Sequence, residues 1–537
     1  AGPSAVPCEH QKQKTRALSV KEISKIISRF GDSALRAQKA GADGVELHGA
    51  HGYLIQQFLS PHTNRRTDAY GGSFENRLRF LREIMADVRA KCGAEFPVVV
   101  RLSVDEFYRE IGKDQGITLE EGVRIARAVE AMGAAAIDVS GATYETMNYW
   151  LEPTTFACGW RKHLAAAVKQ AVSVPVLAAS FIRSPGQAEA QLAEGTQDFV
   201  SLARPLLADP DWPEKVRTGR EAEVMRCIAC LWCFESMLAG GFTGRPGQCA
   251  LNPRCCREDE IPEAPEQDGL GRSVAVIGAG VAGLTAARVL AERGFKVTML
   301  EKAARPGGQV NLAAAPPHKE KIRWCADDLL VKCEKLGVDI QYDIAAPLDI
   351  LQEIKPCAVF LATGANELVP DIPGARGENV HSVADVLGGA VDLSGRAVAV
   401  IGAGLTGLET AEYLCAKNCH VSIIEMANEA APGAYHQHRD DILPRLKQAA
   451  FYLGHKLEAI HADGIEIRDV KKGERKTLPV DDVVLSVGLR PNNALAGELE
   501  SLGVPVIAIG DAGAPGRIAQ AVHSAYDAAA GFTSPSI

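Results

Sequence analysis

One supersecondary pattern occurs twice in this chain and restricts its fold more than any other feature. SVAVIGAGVAGLTAARVLAERGFKVTMLEK spans 273–302, and AVAVIGAGLTGLETAEYLCAKNCHVSIIEM spans 397–426. Each reads as an apolar strand, G-x-G-x-x-G, a helix, a second strand and an acidic residue at its end. Gly278, Gly280 and Gly283 precede Glu301; Gly402, Gly404 and Gly407 precede Glu425. The first glycine permits the tight turn, the second lets a pyrophosphate approach the backbone, and the third lets helix pack on strand. The helix N-terminus then offers unpaired N–H groups to phosphates, and the glutamate can accept from ribose hydroxyls. One such motif is weak evidence. Two in register predict two Rossmann-like dinucleotide-binding folds, one a duplicate of the other.

Before residue 220 the texture differs. Short β-rich runs, GVELH at 44–48, VVVRLS at 98–103, AIDVSG at 136–141, VPVLAAS at 174–180 and DFVSLAR at 198–204, alternate with amphipathic stretches. Thr118 to Glu121 reads as a T-x-x-E capping box, and Ser184-Pro185 as an N-cap followed by proline at the first helical position. Strict alternation predicts an α/β fold with a parallel sheet and helical crossovers. His48, Arg101, Ser140, Ser180 and Arg204 stand where the runs end, the side on which a (β/α)₈ barrel builds its active site. Such a barrel needs eight strands, five are legible, and the sequence does not start with Met. The expectation is a partial TIM barrel short of about three N-terminal βα units, with an open five-stranded α/β domain as the alternative.

A chain of 537 residues calls for three or four domains at ~150 residues each. A net charge of −9 without a basic stripe argues against nucleic-acid partners. No apolar run is long enough to predict a transmembrane helix, and the first residues lack the apolar core of a secretory signal. Fourteen cysteines in that setting are not a disulfide scaffold, and a reducing cytoplasm is expected. Four of them, Cys227, Cys230, Cys233 and Cys249, read C-x₂-C-x₂-C-x₁₅-C. Three thiolates at close spacing with a fourth from a loop favour a 4Fe–4S cluster, with zinc as the alternative. Cys255 and Cys256 are expected to be unremarkable thiols. REDEIPEAPEQDGLG at 257–271 reads as a linker.

The stretch HGAHGYLIQQFLSPHTNRRTDAYGGSFENRLRF at 48–80, followed by VRLSVDE, LARPLLADPDW and CIACLWC, resembles the iron–sulfur branch of the old yellow enzymes. That branch includes 2,4-dienoyl-CoA reductase, 2-enoate reductases, trimethylamine dehydrogenase and 3-oxo-Δ4-steroid (bile-acid) reductases. PGGQ at 306–309, ATG at 362–364 and VIAIGDA at 506–512 resemble the two-dinucleotide-domain flavoproteins. These likenesses imply a partial FMN barrel over 1–220, a 4Fe–4S segment over 221–260, an FAD domain in two parts (268–388 and 480–537) and an NAD(H) domain over 389–479.

For FAD they imply the first glycine loop with Gly308, Gln309, Gly364 and Gly510, Glu301 at the adenosine ribose, and Asp511 at the ribityl or pyrophosphate region. The second loop takes the nicotinamide nucleotide. Met426, Ala427 and Asn428 follow Glu425 without a cation for a 2′-phosphate, so NADH is expected rather than NADPH. For FMN they imply Arg101 at the pyrimidine edge, and the amides near Ala179, Ser180, Ala203 and Arg204, with the Arg204 side chain, at the phosphate. His48 and His51 are implied to donate jointly to a substrate carbonyl, Tyr53 to supply a proton, and Tyr144 to replace a second acid that is histidine in dienoyl-CoA reductase.

The implied activity carries electrons from NADH through FAD and the cluster to FMN and onto the C=C bond of an α,β-unsaturated carbonyl compound: an enoate, an enoyl- or dienoyl-CoA, or a 3-oxo-Δ4-steroid. Trimethylamine dehydrogenase has tyrosine at the position of His48, which disfavours amine oxidation. An amine dehydrogenase and an electron-transfer module without FMN are the alternatives. A small-molecule substrate and NADH are the expected partners, on a homo-oligomer of the kind the family forms.

Overall fold

The computed structural model describes residues 1–8, 13–345 and 348–533. The chain forms two compact units, one of Ala1–Glu152 with Phe156–Ala203, the other of Pro153–Thr155 with Arg204–Ile537.

In the first unit five parallel strands, β1 (Val45–Gly49), β2 (Val98–Ser103), β3 (Ala136–Ser140), β4 (Val176–Ala178) and β5 (Phe199–Val200), lie side by side in chain order. They fall on the five predicted runs. The helices between them begin where local chemistry dictates. Ser19 and Glu22 exchange hydrogen bonds in a full capping box before Val20–Lys39, and Ser184 Oγ accepts from the Gln187 amide before Pro185–Ala193. The box predicted at Thr118 is only half formed. Thr118 Oγ1 accepts from the Glu121 amide at 3.5 Å, but the Glu121 carboxylate is drawn to Arg77 instead.

Side chains along a strand alternate between faces. Leu47, Val98, Val100, Leu102, Ile137 and Val139 pack against the helices in one core, each contributing about 1.5–3 kcal/mol on burial. The opposite face of β1, β2 and β3 therefore carries Glu46 and His48, Arg101 and Ser103, Asp138 and Ser140. Register aligns them: His48 pairs with Arg101, and Arg101 with Asp138.

The second unit is nested. The strands β6 (Ser273–Ile277), β7 (Lys296–Leu300), β8 (Asp339–Gln341) and β9 (Val359–Leu361) begin one parallel sheet. The chain leaves through β10 (Ala365–Glu367) and forms β11 (Val380–Ser382), β12 (Ala397–Ile401), β13 (His420–Glu425) and β14 (Ala450–Leu453). An antiparallel trio follows, β15 (His455–His461), β16 (Gly464–Asp469) and β17 (Arg475–Pro479), and then β18 (Asp482–Leu485). The return strand β19 (Leu489–Pro491) lies antiparallel to β10, and β20 (Val506–Ala508) completes the first sheet. The sheet orders are β20-β9-β6-β7-β8 and β11-β18-β12-β13-β14.

One fold inserted in another is what the likeness to the two-dinucleotide-domain flavoproteins implies, but the expected limits 389–479 are too narrow. Strands β11 and β18 lie outside them and belong to the second sheet: β18 flanks β12, whose Val398, Ala399 and Val400 are fully buried, on the side away from β13, and β11 pairs with β18. Residues 257–271 form turns and irregular chain, anchored where Asp268 meets Arg293. Among the described residues no helix is long and apolar enough to cross a membrane.

Candidate active site and cofactor sites

In the first unit, β1 runs out at Gly49, just past His48, and the chain turns through His51 and Gly52, both left-handed at φ 59° and 77°. That turn presents Tyr53 at the start of the short helix Leu54–Leu59. His51 is locked from three sides. Its amide donates to Ser103 Oγ at 3.0 Å, its Nε2 lies 2.7 Å from Ser140 Oγ, and its ring stacks on Trp150 at 4.2 Å. Burial, then Arg101, His48 and Arg161, push its imidazole down to about 2. Burial and Arg101 also lower His48. Both rings are therefore neutral at neutral pH.

The sequence aimed both histidines at one oxygen; the structure commits the Nε2 of His51 to Ser140 and leaves His48 as the more exposed ring. His48 stands 5.1 Å, ring to ring, from both His51 and Tyr53. The Tyr53 hydroxyl lies 2.7 Å from that of Tyr144. Burial, then the Tyr53 hydroxyl, raise the Tyr144 phenol above its ordinary range. Tyr53 and Tyr144, each singled out separately in the sequence, thus meet on the wall of a cavity of about 340 Å³ shared with Glu106, Tyr108 and Thr143.

Arg101 Nε is buried without a hydrogen-bond partner among the described residues, which fits a site built to face a further polar group. Past the end of β4, Ser180 and Phe181 take consecutive left-handed conformations, φ 38° and 53°. Such turns align backbone amides toward an anion, and loops after the last barrel strands are where a phosphate is held. Ala179 and Ser180 fit that task. Ala203 ends the first unit and Arg204 opens the helix Arg204–Ala208 of the second.

In the second unit Cys227, Cys230, Cys233 and Cys249 line one cavity with Leu231 and Leu251. Ala229 and Leu231 between them are left-handed, and the Leu251 amide donates to Cys249 Sγ at 3.4 Å. Burial pushes the Cys230 thiol up to about 12 and raises Cys233 and Cys249 as well. Only a cationic partner makes thiolates there favourable. Among the described residues no three His, Cys, Asp or Glu side chains converge as around a single ion. Four thiols lining one cavity suit the corners of a cubane. His523 Nε2 donates to the Cys249 carbonyl at 2.7 Å. The pair Cys255 and Cys256, sulfurs 3.9 Å apart, lies outside this lining.

The two glycine loops are copies in detail. Gly278 and Gly402 have φ 101° and 99°. A Cβ on Gly283 or Gly407 would lie 1.9 Å from the carbonyl of Gly278 or Gly402, whereas one on Gly280 or Gly404 would meet open space. That space is the cradle a pyrophosphate needs. Glu301 accepts from the Ala279 and Ala303 amides, and Glu425 from those of Ala403 and Ala427. The surroundings differ. Beside the first loop a Cβ on Gly308 would lie 3.4 Å from Gly280 Cα, and one on Gly510 2.6 Å from Ala282 Cβ; Gln309 bonds Asp511, and Gly364 is left-handed at φ 76°. At the second loop Ser486 takes the place that Ala362 has at the first: a Cβ on Gly402 would lie 2.3 Å from the Ser486 carbonyl, and one on Gly278 2.4 Å from that of Ala362.

Sequence reasoning did not single out Ser103, Asp138 or Trp150. Counting by two from Arg101 and Ser140 along their strands reaches the first two. Trp150 carried no motif.

Residues 2–223 match the NADH:flavin oxidoreductase / NADH oxidase family, and residues 272–512 the pyridine nucleotide-disulphide oxidoreductases. The chain is 40% identical to the NADH oxidase of Thermoanaerobacter brockii, over 98% of this chain and 80% of that protein. It is 32% identical to the cinnamate reductase of Clostridium sporogenes, again over 98% and 80%. A solved 2-naphthoyl-CoA reductase in complex with 2-naphthoyl-CoA matches with a TM-score of 0.91 at 29% identity, over 99% of this chain and 80% of that one. This chain thus combines a TIM-barrel half with two Rossmann-like folds and uses FMN, FAD, NADH and an iron–sulfur cluster. The chain is an oxidoreductase of the NADH:flavin oxidoreductase / NADH oxidase family, in its iron–sulfur, old yellow enzyme-like branch.

Proposed function

We propose that this protein is an NADH-dependent ene-reductase that saturates a C=C bond conjugated to a carbonyl group. The observation that carries the reading is the phenol pair Tyr53–Tyr144 beside a neutral histidine. A neutral His48 offers an N–H to the carbonyl oxygen without the charge of an imidazolium, and a donor at that oxygen stabilises the enolate that forms when hydride reaches the β-carbon. His51, held by Ser103, Ser140 and Trp150, fixes the turn on which His48 and Tyr53 stand. Tyr53 is 43% exposed, and its hydroxyl delivers the proton to the α-carbon. Tyr144 keeps its own proton and donates to the oxygen that Tyr53 leaves charged.

When bound, NADH, FAD, the cluster and FMN supply the hydride and electron chemistry. In this reading Gly278, Gly280, Gly283, Glu301, Gly308, Gln309, Gly364, Gly510 and Asp511 hold FAD, and Gly402, Gly404, Gly407 and Glu425 hold NADH. Cys227, Cys230, Cys233 and Cys249 ligate the cluster, while Arg101, Ala179, Ser180 and Ala203 hold FMN. Enoates, aromatic acrylates and acyl-CoA thioesters are the substrate class. The names of the cinnamate and naphthoyl-CoA reductases support that choice, as does His48 where an amine dehydrogenase carries tyrosine.

Anaerobic NADH oxidation with cinnamate, a 3-oxo-Δ4-steroid and a dienoyl-CoA tests the reading. At least one should be reduced, and Tyr53→Phe should slow that turnover by about 10²-fold or more while leaving flavin reduction by NADH intact. Bleaching by amines but not by NADH, or full turnover in the variant, would reject it.

A further inference from the structure

Asp138 stands beside Arg101 and has no part in the reading above. The row His48, Arg101, Asp138 crosses three adjacent strands in register. Asp138 is 5% exposed. Its Oδ2 lies 3.2 Å from Arg101 Nε, yet neither that Nε nor Asp138 Oδ1 has a hydrogen-bond partner among the described residues. The contact is charge against charge without donor geometry. Buried polar side-chain atoms nearly always have a hydrogen-bond partner; this carboxylate is held by a field.

Burial pushes its carboxyl up to about 6, Arg101 opposing, Glu46 adding and Arg161 opposing. These are the charged groups that face it: Arg101 from β2, Glu46 from β1, and Arg161 just ahead of the helix Lys162–Lys169. Arg161 is itself paired with Glu152 at 3.2 Å. A carboxylate so placed shares one cation with whatever lies on the other side of the guanidinium. New negative charge there competes for Arg101 and favours the protonated acid.

We propose that Asp138 is the proton-accepting counter-charge of Arg101: ionised, it draws on the guanidinium; protonated, it releases that charge to an anionic ring edge on the far side. The proposal rests on the reading of Arg101 as the residue at the pyrimidine edge of FMN. In balance, two electrons from NADH and one proton enter the flavin, and one further proton moves from solvent to an oxygen of the Asp138 carboxylate. No other bond in the protein forms or breaks. Asp138 is a positioning residue, since it acts through Arg101 and touches no substrate.

The test measures the FMN reduction potential and the protons taken up per two electrons, in the intact holoenzyme at neutral pH. Asp138→Asn and Asp138→Ser remove the counter-charge, and Asp138→Glu keeps it. Both neutral variants should favour reduced over oxidised FMN by roughly a further tenfold, the scale of one nearby charge inside a protein, and should take up fewer protons. Asp138→Glu should stay near the native values. Neutral variants with native potential and native proton uptake would overturn the proposal. If neither neutral variant folds, the infrared difference spectrum of the native holoenzyme decides. Reduction should bring up a protonated-carboxyl band, and its absence would count against Asp138. Arg101→Gln separates the underlying reading: a potential unmoved in that variant rejects Arg101 as the flavin partner, whereas one that moves while Asp138→Asn does not rejects Asp138 alone.

Discussion

The two units hold their chemistry by opposite means. In the second unit the nucleotide loops work through backbone: glycines clear a space, and amides at a helix N-terminus face it. The first works through side chains set on one face of three strands, where Glu46, His48, Arg101, Ser103, Asp138 and Ser140 take their places from register alone. A backbone site tolerates almost no substitution at its glycines but is indifferent to much of what surrounds them. A side-chain site is the reverse, and its members act through one another's charge.

The largest effect should come from filling the glycine contact. Gly283→Ala and Gly407→Ala each drive a Cβ to 1.9 Å from a backbone carbonyl, a clash worth at least about 3 kcal/mol, the upper range for overpacking. Gly283→Ala should lose FAD. Gly407→Ala should keep FAD, measured by its absorbance after release, yet fail to be reduced by NADH. Loss of FAD from both variants alike would break the assignment of one nucleotide to each copy.

A middle effect tests what surrounds the second copy. Glu425 is pinned by two amides, and Met426 beside it is 57% exposed. Replacing Glu425 by Ser and Met426 by Arg should move preference toward NADPH by on the order of tenfold, the scale of one charge-assisted hydrogen bond. Steady-state kcat/KM for the two nucleotides reads it out; an unchanged ratio means that recognition lies elsewhere.

The smallest effect belongs to the side-chain face. The folded His51 refuses a proton down to about pH 2, whereas an unfolded one accepts it below 6.5. Its contribution to stability is therefore complete above pH 6.5 and declines as pH falls toward 2. The destabilisation caused by His51→Gln should shrink by about 1 kcal/mol between pH 6.5 and 5.5, read from denaturant midpoints of native and variant protein. A penalty that does not change with pH would mean that the ring is not held neutral.

The same contrast governs what could be read from the residues alone. Glycine spacing is local, so both loops, Glu301, Glu425 and the cysteine run were legible before any coordinates. So were the five strands of the first unit, because apolar runs and caps are local too. Pairings were not. That Ser140 takes the Nε2 of His51, or that Glu121 leaves its cap for Arg77, depends on which strand or helix lies alongside. The edges of the inserted fold were missed for a related reason: β11 and β18 are short, carry no motif, and become strands by pairing, β18 with β12 and β11 with β18. Tyr144 lay within reach of the sequence through likeness; its contact with Tyr53, 91 residues earlier, did not.

The nesting of the second unit also sets an order of events during synthesis. While a ribosome is still translating residues beyond β9, that strand is the raw border of its sheet, with Val359, Phe360 and Leu361 awaiting the cover they have in the finished protein. Unpaired apolar borders invite wrong partners. The intervening fold is complete at β18, well before β20 emerges to seal the border. A nascent chain stalled between those two points would present a sticky, half-built sheet beside a finished one, and that interval is where this protein most needs a chaperone.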